Sequence, residues 1–429
     1  MKRWAVGIAV FSALLGIEQA NAAPRDAFGL DAQTGAQAMA VTASAPAVSA
    51  AASNPGRLIE ARGIELSAGV VVADDQLKVS GQNADLSTYV GYQLGLAAAL
   101  PLGPYRDRLF VGINAHVPHD GLFQVQNSAV HAPVILGTGA DARRLTLDAA
   151  LAVRIWERIS IAAGVHLIPD VVAQVNIDFS GSNDASSSNV TVDYKFAPTL
   201  GIYANPIEGL HLGFAYHGAT RLTLDVPAQI FINDAIGEIN VRLRGYAYAE
   251  PHAFNLGIRY DFSHLTLNPL ARLAIDADFE WRHYVHPIAT SASVELYDDF
   301  GEILNETAQN YASFDESWAI RTALTWMPLD EISASIGYGF KKTPVPAQRN
   351  AFNVLDADKH TLGFGTTLWC PESWMGSFGL GLSTSAQLDF LIPREMEKYT
   401  FLAGNPGFPA IRFEGMTFAW HAAILLRFE

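Results

Sequence analysis

The 429-residue chain has one cysteine, Cys370. A single thiol rules out an internal disulfide, a disulfide scaffold and a multi-cysteine metal site. Charge is sparse at 17% of residues and leans to one sign, with 28 Lys and Arg against 43 Asp and Glu for a formal net charge of −15. A nucleic-acid surface needs Lys and Arg clustered on one face, and no such run is present. Long apolar runs are also scarce. A membrane-crossing helix needs roughly 20 consecutive apolar residues, and the longest run, Trp4 to Ile17, is shorter and lies at the extreme N-terminus. Lys2 and Arg3 precede it and Ala20-Asn21-Ala22 follows with small-x-small spacing. That pattern predicts a secretory signal peptide over residues 1–22, with an uncleaved anchor helix as the alternative.

Catalytic and metal signatures are absent as well. There is no Gly-x-Ser-x-Gly elbow. His116 and His119 are three apart, so on a strand they point to opposite faces. His211 and His217 share a face but lie far apart. Gly363-Phe364-Gly365 and Gly379-Leu380-Gly381 are not followed by a strand-to-helix transition, so they read as lumen-facing strand glycines and not phosphate loops. Asp74-Asp75 and Asp298-Asp299 with Glu302 read as solvated loop charges. The sequence therefore predicts no enzyme, with no catalytic residue, metal ligand or cofactor.

What the chain does contain is alternation. Met416, Phe418, Trp420, Ala422, Ile424, Leu426 and Phe428 form one apolar face with period two. Leu273, Ile275, Ala277, Phe279 and Trp281 alternate with Arg272, Asp276, Asp278 and Glu280. Similar stretches begin near Ile64, Ser87, Leu109, Leu145, Ile159, Tyr194, Leu210, Phe254, Trp318, Ile332, Leu362 and Phe378. Period two is the signal of a strand with two unlike faces. The total, about fourteen, lies within the even-numbered range of transmembrane barrels.

The connections have a rhythm. Short turns such as Trp156-Glu157-Arg158 and Met327-Pro328-Leu329-Asp330-Glu331 follow even-numbered strands. Long links, Pro118–Ala142, Ile168–Val190, Arg221–Glu250, His283–Glu316, Lys341–Lys359 and Leu388–Gly415, follow odd-numbered ones. Outer-membrane barrels have short periplasmic turns and long extracellular loops. The expected fold is all-β, a transmembrane antiparallel barrel over residues 61–429. Alternation alone leaves open which face looks outward. Residues 23–60, rich in Ala, Gly, Ser and Thr, show no alternation; they read either as a disordered leader or as a segment folded into the barrel mouth.

With these features on the page, the chain resembles the FadL/TodX family of outer-membrane transporters for hydrophobic compounds. The resemblance rests on Phe28-Gly29-Leu30, Gly35 and Asn54-Pro55-Gly56, which look like that family's plug, and on pieces in matching order further on. These are Leu200 to Tyr216, Pro251 to Trp281, and Ile336-Gly337-Tyr338 through Gly365. Gly56 stands where the family usually has Ala. The resemblance implies a fourteen-stranded barrel with an N-terminal plug (hatch) at residues 23–60, including Gly29, Gly35, Asn54, Pro55 and Gly56. It also implies passive uptake of long-chain fatty acids or similar hydrophobic molecules.

Physical reasoning adds the loops. Ile230, Phe231, Ile232 and Ile236, with Ile168, Val171 and Val172, are more apolar than solvated loops require, and exposed apolar patches mark interaction sites. They are the expected ligand groove, the alternative being that they pack each loop on its neighbours. Expected partners are hydrophobic small molecules, outer-membrane lipid and lipopolysaccharide, and the barrel-assembly machinery, with the protein a monomer in the outer membrane. A general porin for small polar solutes is the competing function.

Overall fold

The computed structural model describes residues 28–84, 86–103, 107–120, 134–136, 144–178, 187–233, 237–265, 268, 272–285, 288–298, 301–312, 314–349, 353–370, 378–399 and 408–428; for 134, 170–178, 187–192, 221–233, 237–249, 288–298 and 301–312 it describes the backbone alone. The expected signal peptide, residues 1–22, lies outside them.

Among the described residues, fourteen strands close into an antiparallel barrel. They are β1 (Ile64–Val79), β2 (Tyr89–Ala99), β3 (Leu109–Pro118), β4 (Thr146–Trp156), β5 (Ile159–Asp178), β6 (Ser187–Ile207), β7 (Leu210–His217), β8 (His252–Asp261), β9 (Leu273–His283), β10 (Ser317–Leu329), β11 (Ile332–Lys341), β12 (Lys359–Trp369), β13 (Phe378–Glu397) and β14 (Ala410–Phe428). Each pairs with the next, and β14 returns to β1 in a register running from Ile64 opposite Phe428 to Val79 opposite Phe413. Closure leaves no unpaired edge, the condition for a sheet to cross a hydrocarbon layer. Tight turns such as Glu157–Arg158 and Glu208–Gly209 sit at one end with the start of β1 and the end of β14. By the usual loop asymmetry this end is periplasmic.

The structure decides which face is which. On β9, Ile275 is 46% and Phe279 43% exposed on the outside, while Asp276, Asp278 and Glu280 are 1%, 5% and 6% exposed inside. The whole wall follows this pattern, with Leu94, Leu151, Ile202, Leu256, Ile320 and Ile424 outward. A soluble barrel would reverse it; apolar outside and polar inside is the arrangement a bilayer requires.

Four of the expected long loops are corrected, Ile168–Val190 and Leu388–Gly415 because their described residues are largely strand, taken up by β5 with β6 and by β13 with β14. Arg221–Glu250 and His283–Glu316 contain β-hairpins, Thr220–Asn233 with Gly237–Glu250 and Ile288–Asp298 with Gly301–Ala312. Asn240–Arg244 of the first pairs with Ser293–Tyr297 of the second. Ala228–Phe231 runs parallel to Val175–Asp178 of β5, which continues past the wall. The β-branched and aromatic content that made these links look greasy is also strand-forming, so they extend as sheet. Asp74 and Asp75 are likewise within β1 and not in a loop.

Residues 28–60 fold inside the barrel. Two short helices, α1 (Ala32–Ala36) and α2 (Ala47–Ala50), and a 3-10 turn (Pro55–Glu60) make the segment. A capping box starts α1, in which the Asp31 carboxylate accepts the Thr34 N–H at 2.7 Å and the Thr34 hydroxyl accepts the Asp31 N–H at 2.9 Å. This satisfies backbone donors that a buried helix end would otherwise leave bare. Small side chains let the segment pack closely on the wall. Opposite Thr42 and Ala43 the wall has Gly213, where any Cβ would strike the Thr42 carbonyl.

Candidate functional site: the plugged lumen and its apolar track

The internal segment is tied to the wall at points spread around the barrel. Asn54, with no exposed surface, donates through Nδ2 to the Thr42 carbonyl at 2.7 Å and to the Ile202 carbonyl of β6 at 3.1 Å. Its Oδ1 accepts the Gly56 N–H at 3.0 Å and so caps the 3-10 turn. Across the lumen the Asp278 carboxylate accepts the Thr42 N–H at 2.7 Å. The Ser160 hydroxyl donates to the Gly56 carbonyl at 2.6 Å, and Arg154 to the Ile59 carbonyl at 2.7 Å. Below, Leu58 and Ile59 pack with Phe110 and Tyr203 in one buried cluster, and the Arg57 guanidinium lies 4.6 Å over the Tyr203 ring. Buried carbonyls and amides of an irregular segment need such partners, because each one left bare costs about 1–3 kcal/mol.

Above the segment, an apolar track runs down the inner wall at the β1–β14 seam. Its extracellular end is a cluster of Leu77, Leu355, Ala357, Met396, Ile411 and Phe413. This cluster is roofed by a short parallel pairing of Val134–Ile135 with Val354–Leu355. Half-buried Asp356 accepts the Thr343 hydroxyl at 2.6 Å beside this roof, and desolvation holds its carboxyl above the ordinary range. A second small cluster, Phe314 and Val345 with Leu136, Tyr284 and Val354 around it, adjoins the same roof. The lower end of the track is Val71, Ala73, Tyr89 and Ala419 around Phe28 of the internal segment. Phe28 stacks on Tyr89 with centroids 4.8 Å apart, and Tyr89 stacks in turn on His116 and hydrogen-bonds to it. One polar step interrupts the track, where the Thr417 hydroxyl donates to Asp75 at 2.6 Å. Nearby, the Lys359 ammonium is held by Asp389 at 2.6 Å, a carboxylate that also accepts the Thr361 hydroxyl at 2.7 Å.

The periplasmic side is different. Beneath the internal segment lies a cavity of about 910 Å³ whose lining includes Arg57, Glu60, Glu65, Arg259, Asp330 and Arg427. Several of its charges are paired, Arg427 with Glu65 at 3.3 Å and Arg259 with Asp276 at 2.9 Å. Apolar and polar compartments thus meet at the internal segment.

Of the residues singled out from sequence, Gly29, Gly35, Asn54, Pro55 and Gly56 all sit in the internal segment, and each is buried. Gly29 offers its carbonyl to Gln93 Nε2 at 3.3 Å. Gly35 lies against Ser385 and His421. Gly56 leaves no room for a side chain, since a Cβ there would stand 2.8 Å from the Tyr203 nitrogen. Ile168 is fully buried on the inner face of β5. Val171 and Val172 continue β5, paired with Val192 and Thr191. The backbones of Ile230 and Phe231 lie beside Ile177 and Asp178, so the two expected groove segments adjoin, and Ile232 belongs to the same hairpin strand. Ile236 lies outside the described residues. The seam track was not found from sequence. Its members sit on strands at opposite ends of the chain, and only barrel closure makes them neighbours. The lumen-facing alternation of Val71, Ala73 and Leu77 was the available signal. His116 faces the lumen and His119 the outside.

No family model matches the sequence, and no curated protein is similar to it. Solved structures are similar along nearly the whole length. A FadL homologue of Pseudomonas aeruginosa is 14% identical with a TM-score of 0.57, covering 97% of this chain and 99% of that one. The CymD monoaromatic hydrocarbon channel is 11% identical with a TM-score of 0.59, covering 94% and 98%. The Pseudomonas putida toluene transporter TodX is 14% identical with a TM-score of 0.55, covering 96% and 98%. With its outward apolar wall and its occupied lumen, the chain has the fold of the FadL/TodX-type outer-membrane channels.

Proposed function

We propose that this protein carries small hydrophobic molecules across the outer membrane by passive uptake, with the internal segment 28–60 acting as its plug. The observation that carries this reading is the apolar track from the Leu355–Phe413 cluster to Phe28. A polar solute gains nothing from such a surface, while an apolar one gains about 25 cal/mol for each Å² it removes from water. Cargo captured under the extracellular roof would follow the seam until the Phe28–Tyr89 stack stops it, and release would require that stack to part.

Two cargo classes fit the fold, long-chain fatty acids and uncharged hydrocarbons such as those named for CymD and TodX. The track favours the uncharged class. Of the cations near it, Lys359 is already held by Asp389 and Arg394 already bonds the Asp356 carbonyl, so a cargo carboxylate would have to displace an existing bond at either. The general-porin alternative needs an open aqueous lumen, which the residues 28–60 occupy. The nature of the site also favours transport over catalysis, since its walls are aliphatic and aromatic.

The test is uptake by cells lacking their own hydrocarbon and fatty-acid channels. Labelled toluene and oleate are supplied separately, and single-channel conductance is recorded on the purified barrel. Toluene uptake with a closed or nearly closed conductance state is the expected result. Oleate uptake alone would shift the cargo to fatty acids, and a large steady conductance with neither uptake would replace transport of hydrophobes by a porin.

A further inference from the structure

Polar groups meet the seam track at two levels of the lumen, and strand register fixes both. At the upper level Asp75 of β1 stands opposite Thr417 of β14, and Thr417 opposite Asp389 of β13. Asp389 is fully engaged. Lys359 and Thr361 donate to it at 2.6 and 2.7 Å, and Gln387 at 3.2 Å. Asp75 is not. Its Oδ1 accepts the Thr417 hydroxyl at 2.6 Å, and its other oxygen takes no bond among the described residues. It is half-buried between Ala73 and Leu77, which line the track. Asp75 thus offers the lumen a carboxylate oxygen.

The lower level is four residues further down, roughly 13 Å by the rise of a strand. There Val71, His421 and Ser385 stand in one row. His421 has no exposed surface, and Ser385 is buried. Gln93 donates through Nε2 to the Gly29 carbonyl at 3.3 Å, which turns its Oε1 to His421 Nδ1, also 3.3 Å away. Nδ1 therefore carries the imidazole proton, and Nε2 is left as an acceptor. That nitrogen and the Ser385 hydroxyl have no partner among the described residues. Both are aimed at Gly35 of the internal segment, where a Cβ would stand 3.1 Å from the Ser385 oxygen and 3.4 Å from Nε2. Between the two levels lies the Phe28–Tyr89 stack.

Given uptake of hydrophobic molecules along the seam, as proposed above, we infer that the cargo carries a hydroxyl group on an otherwise apolar body, a phenol or an alcohol, and that Asp75 is the residue that selects it. An ionised carboxylate accepts and never donates, so Asp75 takes a donor and repels a cargo carboxylate. Bonds to a charged acceptor are also shorter and stronger than neutral ones. At the lower level the match is closer still. One hydroxyl can donate to His421 Nε2 while it accepts from Ser385, whereas a carboxylate can do only the second. A pure hydrocarbon leaves all three groups as they are. Once Phe28 parts from Tyr89 and Gly35 moves off the wall, the hydroxyl passes from the upper level to the lower. There it satisfies the two groups that the internal segment leaves bare.

The test is equilibrium dialysis of the detergent-purified full-length protein against three ligands of one shape: toluene, p-cresol and p-toluate. Folding is checked by the faster electrophoretic migration of unheated barrel. Wild type should bind p-cresol at least as tightly as toluene, although water holds the phenol more strongly, and p-toluate least. Asp75→Leu should weaken p-cresol about tenfold, the loss of one hydrogen bond to a charged group, and leave toluene within about twofold. Should Asp75→Leu not fold, Asp75→Asn keeps the shape with an uncharged acceptor, and part of the same loss should appear. Ser385→Ala should slow cellular uptake of p-cresol relative to toluene, and an unchanged ratio would remove the lower level from the route. Equal weakening of toluene and p-cresol by the Asp75 change, no weakening of either, or p-toluate bound most tightly would overturn the hydroxyl assignment and leave seam transport standing. Binding of none of the three would overturn seam transport itself.

Discussion

The carboxylate of Asp278, on the inner face of β9, accepts the backbone N–H of Thr42 at 2.7 Å. A wall residue thereby fixes a turn of the internal segment that is more than two hundred positions away in sequence. Asp278→Ala removes an acceptor from a buried amide, a loss of about 1.5–3 kcal/mol for a hydrogen bond to a charged group. Hydrogen exchange at Thr42 should accelerate while exchange in β9 stays slow, and channel recordings should show brief openings absent from wild type. Unchanged exchange at Thr42 would mean that the anchor lies elsewhere.

Asn54 and Gly56 form the second anchor. Asn54→Ala deletes two donated bonds and a cap, and caps alone are worth about 0.5–2 kcal/mol. Gly56→Ala keeps those bonds but forces a methyl against the Tyr203 backbone. Both variants should release the 3-10 turn, measured as trypsin cleavage at Arg57 in folded barrels. Protection of Arg57 in Gly56→Ala would show that β6 can give way.

At the lower end of the track, Phe28→Ala removes the ring that stacks on Tyr89. Aromatic pairs contribute about 0.5–1.5 kcal/mol beyond the area they bury, so the plug should remain folded with its top turn loosened. Toluene uptake should rise several-fold in the variant. Leu77→Asp, near the upper end, should depress uptake without altering the amount of barrel in the membrane. Equal rates in both variants would place the route outside the seam.

The extracellular roof should respond to pH through Asp356. Its carboxyl is raised by desolvation, so the folded roof favours the protonated form. The associated stability is full below the unfolded carboxyl range and is lost as pH rises through the folded value. Protease cleavage between residues 343 and 356 should therefore increase as pH rises above the ordinary carboxylate range, and Asp356→Asn should flatten that rise. A rise of the same size in the variant would assign the pH response to another group.

The lipid-facing assignment is testable at Leu256, in the middle of β8 and 55% exposed. Arginine there should cost about 2–4 kcal/mol in a bilayer refolding titration. Arginine at Ser335 on the opposite, inward face of β11 should cost less, because the lumen there borders the wet periplasmic cavity. Equal costs would undo the inside–outside assignment.

The sequence by itself determined the class of fold, the number of strands to within counting error and the end at which the short turns lie. Each of these rests on information within a few residues: period-two alternation, turn residues and link lengths. The Asn54-Pro55-Gly56 motif was legible for the same reason, as a cap within one turn. Only the tertiary structure decided the rest. Whether Asp276, Asp278 and Glu280 looked inward or outward depended on how the sheet closes, because alternation has two faces and no sign. The hairpins at Thr220–Glu250 and Ile288–Ala312 look like loops in the sequence, because apolar strand formers beyond the wall have the same composition as a greasy loop. The seam track needed β1 and β14, the first and last strands, to pair along their whole length. Closure of the barrel is a contact between the two ends of the wall, and no local pattern in either strand records what its partner will place beside it.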